Sequence, residues 1–187
     1  MEQQIIKGED FTESRLEQGD YELCAFNGCD FSSSDLSGIN FLDCTFTTCN
    51  FSNAILKNTL FQDSTFKECK MLGLHFENCN QLGLTVSFEN CQLDHASFYQ
   101  VRLSRTIFKD TKLQGVDFTQ SDLRNCKFEQ CDLLQATFEN SNLERADFRE
   151  ACNYTIDPEI NRINGALFAL PSVVGLLSKY DIKIETV

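Results

Sequence analysis

Ten cysteines and two histidines are the side chains here with the clearest capacity to ligate a metal or act in nucleophilic catalysis. Cys24/Cys29, Cys44/Cys49 and Cys126/Cys131 each enclose four residues, and no C-x-x-C pair occurs. Structural zinc sites use tighter pairs, so this spacing argues against one. His75 and His95 belong to no motif. A Ser/His/Asp or Cys/His unit would need one of them held in a cleft. The sequence also has no phosphate-cradling glycine loop of the Walker type. We therefore expect no enzyme activity, no cofactor and no metal. The remaining chemical resource is charge. Asp and Glu number 28 against 16 Lys and Arg, a formal net charge of −12. That balance disfavours direct contact with nucleic acid or an anionic membrane surface. It favours basic partners, including proteins that ordinarily hold DNA.

The elements that position these side chains follow a period of five. Every fifth residue from Phe11 to Phe76 is large and apolar, fourteen sites without a miss. The frame fails at Gln81, resumes at Phe88, and runs in fives to Phe148. Together these 27 sites hold 16 of the 17 phenylalanines. A helix (period 3.6) and an ordinary strand (period 2) both fail to match that spacing. The residue two places before each large one is mostly small, and eight of the ten cysteines fall there: Cys24, Cys29, Cys44, Cys49, Cys69, Cys91, Cys126 and Cys131. The cysteines therefore read as small core fillers. The N-terminus, Met1-Glu2-Gln3-Gln4, shows no secretory signal. The stretch Ala166–Leu177 is interrupted by Pro171 and is shorter than the roughly 18–20 residues a membrane span needs. A cytoplasmic protein with reduced thiols is expected.

Ser34-Asp35-Leu36, Cys49-Asn50-Phe51 and Ser121-Asp122-Leu123 resemble the pentapeptide-repeat consensus A-(D/N)-L-x-x. The resemblance implies an all-β solenoid, a right-handed quadrilateral β-helix with four pentapeptides per square coil. Residues twenty apart should then stack. Phe88, Phe108, Phe128 and Phe148 would form one column and Leu93, Leu113 and Leu133 the next. The twelve-residue step from Phe76 to Phe88 reads as a two-residue insertion that places Phe88 above Phe66, with a bulge at about 77–87. The expected organisation is an N-terminal segment 1–8, a β-helix over 9–150, and a C-terminal helical cap and dimerisation segment over 151–187. About seven coils at about 4.8 Å each give a rod of roughly 34 Å.

In the tail, Asp157-Pro158 and Leu170-Pro171 read as the starts of two short helices, and the alternation at Ile182 and Ile184 as a strand. Pro171, Val173, Val174, Leu176, Leu177 and Tyr180 exceed what a lid over one rod end needs. They are expected to join two copies as a homodimer through the C-terminal helix.

Charge is unevenly distributed. Residues 1–50 hold ten acids and two bases. Glu13, Glu17, Glu22, Asp30, Asp35 and Asp43 are the candidate partner-binding residues on an acidic surface. Asn78, Asn80, Gln81 and Leu82 are candidates at the bulge. Asp10 should stack on Asp30 and Asp43 on Asp63, whereas Lys67, Glu89, Lys109, Glu129 and Arg149 should alternate in sign along one column. Cys69-Lys70-Met71-Leu72-Gly73, Val86-Ser87-Phe88-Glu89-Asn90-Cys91, Asn153-Tyr154-Thr155-Ile156-Asp157, Leu170-Pro171 and Leu176-Leu177 resemble the topoisomerase-protecting branch of the pentapeptide-repeat family, which includes Qnr-type quinolone-resistance and gyrase-poison immunity proteins. That resemblance implies a dimer that mimics B-DNA and binds DNA gyrase or topoisomerase IV. Two rods would span roughly 70 Å, over which DNA carries about 40 charges; the dimer would carry twice −12. The alternative function is a rigid scaffold for an unrelated protein, with acidity serving solubility.

Overall fold

Parallel pairing between successive coils organises the chain. The computed structural model describes residues 1–180 and 182–185. Its strands are β1 (Ile5–Lys7), β2 (Asp20–Glu22), β3 (Ala25–Asn27), β4 (Asn40–Leu42), β5 (Thr45–Thr47), β6 (Leu60–Gln62), β7 (Ser64–Lys67), β8 (Val86–Glu89), β9 (Ile107–Lys109) and β10 (Lys127–Glu129). One sheet runs β1-β3-β5-β7-β8-β9-β10 and a second runs β2-β4-β6. The register step is twenty residues, as in Phe26↔Phe46, and becomes twenty-two across the insertion at Phe66↔Phe88. Single bridges such as Asp30↔Asn50 and Asp35↔Ile55 link the other two walls. The architecture is the quadrilateral β-helix expected from the repeat.

Each five-residue unit has a local physical logic. The large residue points inward and is buried in nearly every coil. The second residue after it commonly takes a left-handed φ, as at Asp43 (51°), Asn53 (57°), Gln120 (57°) and Arg105 (70°). This bends the chain round the corner. Asx residues and glycine tolerate that conformation best, which accounts for much of the Asn, Asp and Gly at this place. The Asp or Asn before the large residue often accepts the N–H of the residue after it, as Asp30 Oδ1 does from Ser32 (2.8 Å) and Asp132 Oδ1 from Leu134 (3.1 Å). The small inward residue has a further role. Cys44, Cys91, Cys126 and Cys131 donate to the carbonyls of Tyr21, Phe66, Leu103 and Phe108 in the coil below, at 3.2, 3.4, 2.9 and 3.3 Å. Thr59 and Ser141 make the same bond with hydroxyls to Leu36 and Phe118, at 2.8 and 2.7 Å. A compact donor there adds a second bond to a buried carbonyl; Leu103, Leu36 and Phe118 O also accept the N–H groups of Thr106, Ile39 and Ser121.

The large residues form four columns. The first wall stacks Phe26, Phe46, Phe66, Phe88, Phe108, Phe128 and Phe148, with ring centroids 4.7–5.5 Å apart and planes within 14°. The second carries Phe11, Phe31 and Phe51, then Met71 and Leu93. The third carries Leu16, Leu36 and Leu56, then Phe76, Phe98 and Phe118. The fourth carries Tyr21, Phe41 and Phe61, then Leu103, Leu123 and Leu143.

The ends differ from expectation. The ladder begins before residue 9, with Ile6 paired to Phe26, and passes residue 150 through the bridges Asn142↔Arg162 and Asp147↔Leu167. Phe168, the one phenylalanine outside the 27 sites, stacks on Phe148 at 5.4 Å. The frame had been hidden by polar Asn153 and by Pro158, which occupy its next two positions.

Neither expected C-terminal helix forms. Asp157-Pro158 opens a turn closed by Glu159 N–H to Asp157 Oδ1 (2.9 Å). The segment after Pro171 makes only 3-10 turns, Val173–Leu176 and Ser178–Tyr180. Gly175 and two adjacent β-branched valines make this a poor α-helix. Gly175 is fixed by its neighbour instead: a Cβ there would lie 2.1 Å from the Tyr154 carbonyl oxygen. Ile182 and Ile184 are exposed and extend no strand.

Candidate functional site

The acidic candidates ring the N-terminal coils. Glu13 lies at the corner after the second wall, Glu17 on the third, and Glu22 and Asp43 on the fourth; all four are exposed. Asp30 and Asp35 are half-buried and committed internally. Asp30 accepts from the Ser32 backbone, while Asp35 accepts from Ser37 N–H (3.1 Å) and pairs with Arg15 at 2.8 Å. The Ser37 bonds and Arg15 hold the Asp35 carboxyl below its ordinary range. Asp10 and Asp30 bridge adjacent coils, and Asp43 sits one coil below Asp63. Four exposed carboxylates therefore remain available to a partner, spread over adjoining walls. Sequence reasoning omitted Asp20 and Glu2 from this set. The bridge Glu2↔Glu22, together with Asp20 at the edge of β2, puts both on the fourth wall. The twenty-residue step could have found them.

The alternating ladder is partly formed. Glu89 pairs with Lys67 (3.6 Å) and Lys109 (2.8 Å), but Glu129 turns to Lys127 (3.9 Å) and Arg149 to Asp147 (2.7 Å). An acid two residues away along the chain reaches Arg149 directly, so the pair forms within one coil.

At the bulge the insertion is absorbed at residues 80–85. Asn80 N–H reaches Thr59 O and Thr85 N–H reaches Phe61 O, both at 2.9 Å. Gln81 folds back, its Nε2 donating to the carbonyls of Phe76 (3.0 Å) and Cys79 (3.2 Å). Asn80 Oδ1 caps Leu82 N–H at 3.0 Å. Gly83, at φ 93°, lets the chain double back, and Leu84 fills the core. Asn78 is exposed, and Leu82 stands out at 83% exposure.

The tail gathers apolar surface at the opposite end of the rod. Leu170 is 87% exposed, and Ile160, Leu167, Val174, Leu177 and Tyr180 are also exposed. Leu176 packs against the core, Val173 is half-buried and Pro171 is exposed. Lys179 clamps the segment through Asp157 and Glu159, both at 2.7 Å, and Tyr180 donates to Glu159 at 3.0 Å.

Nine of the ten cysteines are buried, and all ten are free thiols. Burial raises the Cys44 thiol to about 11 and the Cys131 thiol to about 12, well away from thiolate reactivity at neutral pH. His75 and His95 are exposed, the former 2.8 Å from Glu77. Among the described residues no group of three or more His, Cys, Asp or Glu could hold a metal ion, and no helix is long and apolar enough to cross a membrane.

No curated protein matches the sequence. Among solved structures, two trypsin-treated variants of QnrB1, a plasmid-mediated fluoroquinolone resistance protein, superpose with TM-scores of 0.67 and 0.66 at 18% identity. The matches cover 98% and 97% of this chain and 99% of each of theirs. HetL, a pentapeptide repeat protein involved in heterocyst differentiation regulation from Nostoc sp. strain PCC 7120, matches at 14% identity and a TM-score of 0.48, over 91% of this chain and 87% of its own. The likeness to QnrB1 is one of fold. The model of the pentapeptide repeat region matches residues 7–82 and 84–153, pausing only at Gly83 in the bulge. The columns, the corners and this match agree: the chain belongs to the pentapeptide repeat family.

Proposed function

We propose that this protein binds a type II topoisomerase, DNA gyrase or topoisomerase IV, in place of DNA and modulates its response to quinolone-like or peptide poisons. The observation that carries the reading is the exposed carboxylate set Glu13, Glu17, Glu22 and Asp43 at one end of a straight rod. Fixed negative charge on a rigid rod meets a DNA-holding surface without ordering cost and accelerates encounter. The shared fold with a fluoroquinolone resistance protein supports the same reading.

The exposed apolar set from Ile160 to Tyr180 supports a two-fold dimer through the C-terminal turns. The acidic coils then become the two far tips of one longer rod. Light scattering should give twice the chain mass of 21.3 kDa. A single-chain mass at tens of micromolar would remove the dimer.

The functional test is a gyrase supercoiling assay with and without a fluoroquinolone. Micromolar protein should shift supercoiling or drug sensitivity. Replacing Glu13, Glu17 and Glu22 by Gln and Asp43 by Asn should weaken binding most at low salt, because exposed charges are screened beyond about 8–10 Å at physiological ionic strength. Affinity unchanged across that salt range would sink the acidic-tip assignment. No effect of the unmodified protein on the enzyme would leave the scaffold reading.

A further inference from the structure

The fourth wall changes sign at the bulge. Below it stand Glu2, Asp20, Glu22, Asp43 and Asp63. Above it stand Arg102, Arg105, Arg124, Arg145 and Arg162, five of the seven arginines in the chain, against Asp122 and Glu144. The stacking is explicit in the bridges Arg102↔Asp122 and Asn142↔Arg162, and in the bonds Arg105 N–H to Arg124 O and Arg145 N–H to Asn164 O. Arg124 is held by Asp122 through two bonds of 2.8 and 2.7 Å. Among the described residues, Arg102 and Arg105 have no carboxylate within ion-pair distance.

The same wall is split at this point. The insertion shifts residues 80–85, and among the described residues no parallel bridge joins them to 102–104. A cleft of about 590 Å3 opens there, within the size range of small-molecule sites. Leu84 and Leu103 give it an apolar floor, and Arg102, Arg105 and Arg124 stand at its walls with no Asp or Glu in the lining. Gln81 also lines it, and its Oε1 is buried without a hydrogen-bond partner.

We infer that this cleft binds a phosphate-bearing small molecule. A guanidinium fork matches a phosphate bidentately. Three arginines around one opening suit a ligand with more than one negative charge, and a phosphate monoester carries about −1.5 to −2 at neutral pH. The apolar floor accepts an organic body. The assignment is independent of topoisomerase binding. It uses the opposite charge, on the other side of the bulge from the acidic coils.

The test is calorimetric titration of the full chain with ADP, pyrophosphate and adenosine in 50 mM salt. ADP should bind, pyrophosphate should compete with it, and adenosine should not. R102Q/R105Q should weaken ADP at least tenfold. Gln already occupies the left-handed corner at Gln100, Gln120 and Gln130, so R105Q keeps the backbone, and thermal unfolding should be unchanged. Should the double variant be unstable, R102Q alone carries the test and should still weaken ADP severalfold. Arg149, on the first wall and paired with Asp147, is the control: R149Q should leave ADP affinity intact. No ADP binding, equal binding of adenosine, or undiminished binding by the folded arginine variants would overturn the assignment.

Discussion

Below the bulge, aromatic rings line three walls and leucine lines the third; above it, rings line the first and third walls and leucine the other two. Phe46 consequently has rings on both flanks. It stacks on Phe26 and Phe66 at 4.9 Å and meets Phe31, Phe41, Phe51 and Phe61 edge-on at 5.1–6.3 Å. Phe118 stacks on Phe98 and Phe138 at 5.4 and 5.2 Å and meets only Phe108 and Phe128 edge-on, across the interior, at 5.9 and 6.0 Å. The outer surfaces differ in parallel, with free carboxylates below and paired or arginine-rich walls above. One repeat rule thus supports two cores and two electrostatic faces, and the inserted residues at 80–85 are where the fourth wall changes over.

The largest expected effect tests the cores. Phe46→Ala and Phe118→Ala should each cost about 3–5 kcal/mol in chemical denaturation, since both empty a closed layer. Phe46 should cost more, because each edge-on ring pair adds about 0.5–1.5 kcal/mol beyond burial. A greater loss at Phe118 breaks the comparison, and a loss below about 1 kcal/mol at either contradicts its place in the column.

Next comes the small inward site. Cys126 is fully buried and donates to Leu103 O at 2.9 Å, whereas Cys24 reaches Met1 O only at 3.6 Å and bonds its own coil at Glu22 O, 3.3 Å. Cys126→Ala removes one of two bonds to the Leu103 carbonyl, which keeps that from Thr106 N–H (2.9 Å), and should cost about 0.5–1.5 kcal/mol. Cys24→Ala should cost less, and Cys126→Ser, which keeps a donor, should recover part of the loss. Equal losses for Cys126→Ala and Cys126→Ser would show that volume, and not the bond, sets the preference for cysteine.

These sites mark how far the sequence could be read. The five-residue period fixes the inward residues outright, because a one-residue slip would expose a column of phenylalanine, and Phe88 does lie above Phe66. The donor role of the cysteines is not legible, because it depends on a carbonyl twenty-three residues earlier that only the coil brings near. The tail misleads because proline starts helices and 3-10 turns alike, and because polar Asn153 hides the frame that returns at Ile163 and Phe168. Of the acidic candidates, spacing identifies Asp43 as stacked below Asp63 and Asp30 as stacked on Asp10. The same twenty-residue step stacks Asp35 on Arg15, a pairing the choice of acidic candidates left out of account. The cleft is invisible to the repeat, since it exists where the repeat fails.

The smallest effect is acid dependence, and it should have opposite character in the two halves. Side-chain bonds to Arg124 and Arg149 lower the carboxyls of Asp122 and Asp147, and bonds to Lys179 and the Glu159 amide lower that of Asp157. A carboxyl lowered in the folded state stabilises above its unfolded pKa, near 3.8, and that contribution is lost as pH falls through the lowered value. The upper coils and the tail should therefore lose stability below about pH 4. In the lower coils the excess of acids means that protonation also relieves like-charge repulsion between stacked neighbours such as Asp10 and Asp30. Asp10 itself is lowered by its bonds to Thr12, so the relief there is only partial. Hydrogen exchange followed from pH 6 to pH 3, corrected for intrinsic rates, should show amides of Phe128 and Leu143 losing protection before those of Phe31 and Phe51. The whole shift should be smaller than the loss from Cys126→Ala, because exposed pairs contribute little. Earlier loss in the lower coils would mean that the carboxylate bonds of Asp10 and Asp35, and not the arginine pairs of the upper coils, set the acid limit of the rod.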